Sequence, residues 1–287
     1  MKLITGAAGF IGKCLVEKSI IDGPVLSSDL AGNNMLSPSA ALDALLNTDD
    51  ISAVFHLGAI SSTTETDAVL LTENNIGYSL QLLEICIEKN IPFVYASSAS
   101  VYGQSIGSQK ESQQTAPVNS YAISKTALDL FVEQKITLNP TARIFGLRYF
   151  NVFGHHEHHK GDMASPVHKF TLQARETGKI KIFEGSDEYL RDFVHIDDVI
   201  AMTLAAPSFK QSGIYNVGTG VSRSFEDVAK IIAAETGAQI VEIPFPEHLK
   251  GKYQTHTCSD NTKISTNGYT TPRMGLEEGI RKTIALI

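Results

Sequence analysis

Apolar positions along the first half of the chain recur with two alternating periods. Short apolar runs at Lys2–Thr5, Val25–Ser28, Ala53–Leu57, Phe93–Ser97 and Arg143–Tyr149 predict strands. Helical spacing between them predicts helices over Ile11–Ile21, Leu36–Leu46 with a start near Pro38, Asn75–Lys89 and Tyr121–Ile136. In the last of these, Leu128, Phe131, Val132 and Ile136 stand at i, i+3, i+4 and i+8, one buried stripe. Strands that alternate with helices need crossover connections. The pattern therefore predicts an α/β fold with a Rossmann-type, doubly wound parallel sheet over residues 1–150. Past Asn151 the order loosens. Extended pieces at Lys181–Phe183, Ile214–Val217 and Ile240–Pro244 mix with helices at Pro166–Thr177, Ser224–Thr236 and Leu276–Ile287. A smaller C-terminal α/β substrate lobe is expected over 151–287, with its late elements free to return to the first lobe. No internal repeat or flexible linker separates the two, so they are expected to pack together.

Composition narrows the class. Hydrophobic residues make up 43% and charged residues 19% of the 287 positions, a profile that buries a large core and does not suit a disordered chain. A formal net charge of -7 leaves no basic excess to neutralise phosphates, which argues against nucleic-acid and anionic-membrane binding. A small anionic ligand remains compatible, because a few placed cations and amides suffice. Cys14, Cys86 and Cys258 are odd in number, far apart and in no Cys-x-x-Cys pair, so neither a disulfide frame nor a thiolate metal site is expected. The chain enters an apolar strand after one lysine with no signal-peptide layout, and no apolar run reaches membrane-spanning length. The expectation is a cytoplasmic enzyme.

The first strand leads into Gly6-Ala7-Ala8-Gly9-Phe10-Ile11-Gly12, which opens the first helix. Gly6, Gly9 and Gly12 suit a turn whose backbone amides approach a pyrophosphate at the positive end of a helix. A glycine triplet alone is a weak signal, and a tight turn without a ligand is the bland alternative. Its place between strand and helix at the start of the chain favours the dinucleotide. Asp29 ends the second strand, about twenty residues on, where an acid takes the adenosine ribose hydroxyls. Its carboxylate would repel a ribose phosphate, and Leu30–Leu46 holds no Lys or Arg to offset it, so NAD is favoured over NADP. The bland reading of Asp29 is a solvated loop acid.

Tyr121-Ala122-Ile123-Ser124-Lys125 places a phenol and an ammonium four residues apart on one helix face. Upstream, Ser97 and Ser98 end a strand at the carboxyl edge of the sheet, where ligands bind in this architecture. Removing hydride from a carbinol needs a base for the hydroxyl proton. A free phenol, with pKa about 10, is a poor one. A neighbouring ammonium and the charge of an oxidised nicotinamide are expected to lower that pKa, and the serine hydroxyl to orient the substrate oxygen. The tyrosine–lysine pair alone could be a surface helix contact; the serine strand and glycine turn in register turn the balance toward chemistry.

Together, the glycine turn, His56-Leu57-Gly58-Ala59, Asn74-Asn75, the Ser98 strand, Tyr121 with Lys125, Arg148-Tyr149-Phe150-Asn151-Val152-Phe153-Gly154 and Arg191-Asp192-Phe193-Val194-His195 resemble the extended short-chain dehydrogenase/reductase family over nearly the whole chain. Ser61–Glu65, Lys160–Ser165, Phe183–Ser186 and Leu249–Gln254 lie where sugar epimerases differ from one another, and are the most specific part of the likeness. The resemblance implies an isomerase that epimerises a nucleotide-activated sugar by transient oxidation and re-reduction with bound NAD or NADP, and a homo-oligomer. It implies Tyr121 as one acid/base and Lys160 as the second, Ser98 as the orienting hydroxyl, and Lys125 on the nicotinamide ribose. Phe10, Ile11, Asp29, Leu30, Leu57, Gly58, Ala59, Ser61 and Asn74 would line the dinucleotide. Asn151, Val152, Asp162, Phe183, Glu184, Gly185, Ser186, Arg191 and Tyr253 would bind the nucleotide sugar, with His168 or Lys169 filling a further position. Arg191 suits a diphosphate, since its planar fork matches phosphate oxygens.

This chain departs from the pattern at two places. Lysines that favour NADP are absent from the short, uncharged Ala31-Gly32-Asn33-Asn34-Met35, and His155-His156 stands where Pro-Arg is usual. His155, His156, His158 and His159 surround Glu157, but nicotinamide chemistry needs no metal and zinc needs a fixed set of three or four ligands, so the cluster reads as a polar loop beside Lys160 and no metal is expected. Lys160 itself could be a solvated lysine. Other readings are a different nucleotide-sugar epimerase or reductase, such as a UDP-hexose 4-epimerase, and, outside enzymes, an NAD(P)-sensing regulator. A 4,6-dehydratase would want Asp-Glu after the serine, where Ala99-Ser100 stands. The regulator would lack the tyrosine–lysine pair.

Overall fold

Strand β1 (Lys2–Thr5) turns through the glycines into helix α1 (Phe10–Ile20), and the same strand-then-helix step recurs along the chain. A computed structural model describes residues 1–30, 35–247, 254–269 and 273–287. In order follow β2 (Val25–Ser28), α2 (Pro38–Asn47), β3 (Ala53–His56), α3 (Ala68–Leu71), α4 (Tyr78–Glu88), β4 (Phe93–Ser98), α5 (Ser120–Leu138), β5 (Ile144–Tyr149) and β6 (Asn151–Phe153). Beyond these lie α6 (Pro166–Thr177), β7 (Lys179–Phe183), β8 (Leu190–His195), α7 (Ile196–Ala205), β9 (Gly213–Val217), β10 (Ser222–Ser224), α8 (Phe225–Thr236), β11 (Gln239–Ile243), α9 (Thr262–Thr266) and α10 (Leu276–Leu286).

Six strands form one parallel sheet in the order β2-β1-β3-β4-β5-β9. Chain direction across the sheet reverses between β1 and β3, so the connections leaving those strands diverge and open a crevice at their carboxyl ends. Side chains alternate between faces. Leu3, Val54, Phe93, Tyr95 and Ile144 meet Leu45, Leu82, Leu83, Leu128 and Val132 on one face. Ile4, Phe55, Val94, Phe145 and Leu147 meet Phe10, Leu15, Val199 and Met202 on the other. Both faces are covered, which is why these strands read as continuous apolar runs.

Residues past 150 divide between two cores. Strand β9 completes the large sheet, and α7 and α9 put Val199, Ile200, Met202 and Ile264 into the core that holds α1. The rest forms a smaller lobe around Phe153, Val167, Ile180, Phe193, Val228 and Ile280, with sheets β10-β8-β6 and β11-β7. Two features differ from the sequence pattern. Helix Asn75–Lys89 was expected, yet Thr72–Gly77 forms a wide π turn and the regular helix begins at Tyr78. Asn75 sits inside that turn with both side-chain atoms engaged elsewhere, as described below. Strand β8 carries Arg191 and Asp192 and so hides its apolar period, but Asp192 is buried and satisfied by Thr219, Gly220 and Ser259. Among the described residues no helix is long and apolar enough to cross a membrane.

Candidate active site

The crevice at the carboxyl edge of the sheet is a cavity of about 790 Å³. Every residue expected to line a dinucleotide faces it, from Gly6 to Gly12, through Asp29 and Leu30, to Leu57–Ala59, Ser61 and Asn74. Ser98, Tyr121, Lys125 and Lys160 face it too, as do Asn151 and Val152.

The glycine turn is built for close approach. Gly6 takes φ +69, and a Cβ there would meet Gly58 N at 2.4 Å; a Cβ on Gly12 would meet Gly6 O at 2.0 Å. Helix α1 therefore starts against backbone, with no side chain capping it and no acid in its first turn. Its partial positive charge is open to an anion. At the end of β2, Asp29 Oδ2 accepts the Ala8 amide at 2.9 Å, which ties the turn to the second strand. An open helix terminus, a turn with glycines at its closest backbone approaches and an acid at the next strand end, all on one long cavity, fit a dinucleotide.

Tyr121 lies in the first turn of α5, whose start is set by Asn119: its Oδ1 accepts the Ala122 amide at 2.8 Å. The Lys125 ammonium, one turn on, is 6.0 Å from the Tyr121 ring centroid and donates to Ala96 O at 2.8 Å. Burial lowers the Lys125 pKa to about 8, against the pull of Asp129. From the sequence, Lys125 and an oxidised nicotinamide together are expected to lower the phenol. Among the protein's own groups, burial raises the Tyr121 pKa, with the Ser98 hydroxyl opposing and Asp129 adding to the rise. Beneath them Asp129 is buried and accepts from Tyr95 OH at 2.8 Å, Ser97 Oγ at 3.0 Å and Arg148 Nε at 2.8 Å. Asn75 pins the loop after β3 to α5: Oδ1 accepts from Ile60 N at 2.8 Å, and Nδ2 donates to Ile60 O at 3.0 Å and Ser124 Oγ at 2.9 Å.

Lys160 reaches the cavity from the other lobe. Its ammonium lies 4.8 Å from the Phe10 ring centroid and donates to Glu157 Oε2 at 3.1 Å. Glu157 is fully buried and also accepts from Ser165 N at 2.7 Å, Ser165 Oγ at 2.6 Å and Gly154 N at 3.2 Å. Ser165 in turn caps α6. The histidines around Glu157 thus do not share its carboxylate.

A family description, the NAD dependent epimerase/dehydratase family, matches residues 2–218. The chain belongs to that family. It is 39% identical to an ADP-L-glycero-D-manno-heptose-6-epimerase of Alkalilimnicola ehrlichii over 98% of this chain and 95% of that one. Its structure is similar to the Helicobacter pylori enzyme of the same name, with a TM-score of 0.87 at 30% identity over 100% of this chain and 96% of that chain. It is also similar to a Thermus thermophilus UDP-glucose 4-epimerase solved with NAD, with a TM-score of 0.83 at 26% identity over 99% of this chain and 98% of that chain. As a member of an NAD-dependent family, the chain has its cofactor in NAD, in keeping with Asp29.

Of the remaining residues singled out for the sugar nucleotide, those among the described residues do not line the cavity. Asp162 is exposed, and its carbonyl accepts from Lys169 Nζ at 3.2 Å. His168 is buried in the first turn of α6, with its pKa lowered by burial. Phe183 packs on Phe245 with ring centroids 5.5 Å apart, Ser186 closes the same turn onto Phe183 O, Gly185 turns there with φ +76, and Glu184 is exposed. Arg191 is buried, with its fork on the Leu190 and Gln254 carbonyls and its guanidinium 5.4 Å from the Phe225 ring centroid. Tyr253 lies outside the described residues, as does most of Leu249–Gln254. Sequence reasoning missed Asn75, Asp129 and Glu157 as site supports. For Asp129 a signal existed, since it stands four residues after Lys125 on the same helix face.

Proposed function

We propose that the chain epimerises ADP-glycero-manno-heptose at carbon 6, with NAD acting as a catalytic cofactor. The observation that carries this reading is that two proton-carrying side chains from different lobes, Tyr121 and Lys160, line one cavity at the sheet edge. The 39% identical relative supports the choice of sugar.

When bound, NAD accepts a hydride from the sugar carbon and returns it. The protein's own groups move the proton and hold the oxygen. Tyr121 takes the hydroxyl proton on one side, Ser98 orients that oxygen, and Lys125 holds the nicotinamide ribose. Inverting the centre requires the carbonyl to present both faces, so its oxygen must move. Lys160, steadied by Glu157, supplies the second proton position. Residues 1–150, with the returning β9, α7 and α9, are assigned to the dinucleotide body, and the smaller lobe formed by the rest of 151–287 to the sugar nucleotide. Asn151 and Val152 meet the sugar. Asp162, His168, Phe183, Glu184, Gly185, Ser186 and Arg191 lie off this cavity, so their proposed place on the outer part of the nucleotide sugar requires rearrangement, and Arg191 would have to leave the Leu190 and Gln254 carbonyls to reach a diphosphate.

A UDP-hexose 4-epimerase is the second reading, favoured by the likeness to the Thermus enzyme. Incubation with the ADP-heptose and, separately, with UDP-glucose, followed by NMR of product stereochemistry, separates them. Conversion of the heptose alone is expected; conversion of UDP-glucose alone would replace the first reading by the second.

A further inference from the structure

No metal site is expected from the sequence, where the cysteines stand far apart and the histidine cluster reads as a polar loop beside Lys160. The fold brings one of those cysteines to that cluster. Cys14 and Glu17 lie one turn apart on α1, and the loop after β6 brings His155 and His156 against them. Cys14 Sγ is 3.7 Å from His155 Nε2, across 141 residues of sequence. One donor atom each from Cys14, His155 and His156 lie within 4.8 Å of one another. Among the described residues this is the one such cluster of three or more His, Cys, Asp and Glu donors.

We propose that Cys14, His155 and His156 form a zinc site that clips the loop after β6 to helix α1. A thiolate and two imidazoles are the donor set of a borderline-soft, tetrahedral cation. Bond lengths of about 2.3 Å to sulfur and 2.0–2.1 Å to nitrogen put two tetrahedral ligands about 3.6 Å apart. Cys14 and His155 already stand at that spacing. Three protein ligands leave the fourth position to water.

The surroundings suit the ion. Glu17 holds His156 Nε2 at 3.0 Å and 3.1 Å through its two oxygens, so Nδ1 would be the ligand atom, with the ring fixed as outer-shell carboxylates do. Glu17 and Asp197 place negative charge beside Cys14 and His155, opposed by Lys13 and Lys282. Burial and those two acids push the Cys14 thiol up to about 12, so binding must displace its proton to solvent, and a dication reverses the field that holds it. His155 has its pKa lowered and so offers a neutral ring, and its Nδ1 is buried without a hydrogen-bond partner. His156 takes φ +69, a left-handed backbone that side chains other than glycine rarely adopt. The competing arrangement is a thiol–imidazole hydrogen bond at the edge of an apolar seam, with no metal. The histidines that looked most like a metal cluster divide: His158 is exposed, and His159 turns to the cavity.

Directly after the pair comes Glu157, which seats Lys160, so a zinc ion would brace the same loop. The site stands apart from the assigned reaction, and its test reads no turnover. The full-length protein is freed of metal with a chelator under reducing conditions and titrated with Co2+, then Zn2+. The proposal expects a single Co2+ per chain with tetrahedral visible bands and a thiolate-to-cobalt charge-transfer band, displaced by a single Zn2+. Cys14→Ala should remove the charge-transfer band. His155→Gln and His156→Gln should each weaken Zn2+ binding at least about 100-fold, and Glu17→Gln about tenfold. His158→Gln should change nothing. Circular dichroism and NAD binding check that each variant is folded. Absence of a charge-transfer band in the unaltered protein overturns the proposal, whatever the variants do. So does a band that survives Cys14→Ala, or Zn2+ affinity that survives both histidine substitutions.

Discussion

The ammonium of Lys160 rests 3.1 Å from Oε2 of Glu157, a carboxylate with no exposed surface. Glu157 therefore fixes two things at once: the side chain assigned as the second acid/base, and the Ser165 cap that starts α6. A buried carboxylate with four donors is costly to neutralise, because each donor loses its partner.

Glu157→Gln keeps the shape and removes the charge. It should lower epimerisation by about tenfold or more, as part of the help that a positioned acid/base supplies is lost. It should also cost about 1–3 kcal/mol of stability from donors left poorly matched. NAD affinity should stay unchanged, since the dinucleotide turn is untouched. Turnover, urea unfolding and NAD titration on the same variant check all three.

Asp29 at the end of β2, where it accepts the Ala8 amide, is the residue to which the cofactor preference is assigned as a proposal. NAD should bind at least as tightly as NADP. The check is a fluorescence titration with both. NADP binding tenfold tighter, about 1.4 kcal/mol, would contradict the role given to Asp29.

His56 predicts a pH dependence of stability. It is buried between Thr5 Oγ1 at 2.6 Å and Ser79 Oγ at 2.7 Å, and burial with the nearby Lys125 lowers its pKa to about 3. Between pH 6.5 and about 3 the unfolded chain binds a proton that the folded chain refuses. Stability from this group is complete above pH 6.5 and is lost as pH falls through that window, by about 1.4 kcal/mol per pH unit at most. Urea unfolding at stepped pH should show that slope, and His56→Asn should flatten it.

Asp129 supports Lys125 and Arg148 from below. Asp129→Ala leaves the buried Arg148 without its carboxylate and should cost about 3–5 kcal/mol. It also removes the charge that opposes the fall of the Lys125 pKa, so the alkaline limb of activity should move to lower pH. A pH–rate profile separates this from simple loss of stability.

The large sheet was legible because its strands are buried on both faces and its helices carry single apolar stripes. β8 was not, because Arg191 and Asp192 are satisfied by groups distant in sequence, and charge masks the alternation. The dinucleotide side of the site was legible for a local reason: Gly6–Gly12, Tyr121–Lys125 and Asp29 are short motifs, each on one element. The Cys14–His155 contact was not, since 141 residues separate the two and only the fold brings them near; Glu157 has local partners, but its burial, which makes them matter, does not show in the sequence. The sugar side shows the same limit. Asn151 and Val152 face the cavity, but the Phe183–Ser186 turn and Arg191 are held by packing and backbone carbonyls away from it.

Tyr121 and Lys160 are assigned as separate proton groups for one inversion. The most direct measurement is the epimerisation rate of the ADP-heptose, followed by NMR, for Tyr121→Phe and Lys160→Met beside the unaltered protein. Each variant should lose about 10²–10⁴ in rate while binding NAD as before. Near-normal epimerisation by Lys160→Met, with product stereochemistry intact, would contradict it and leave Lys160 as a binding lysine only.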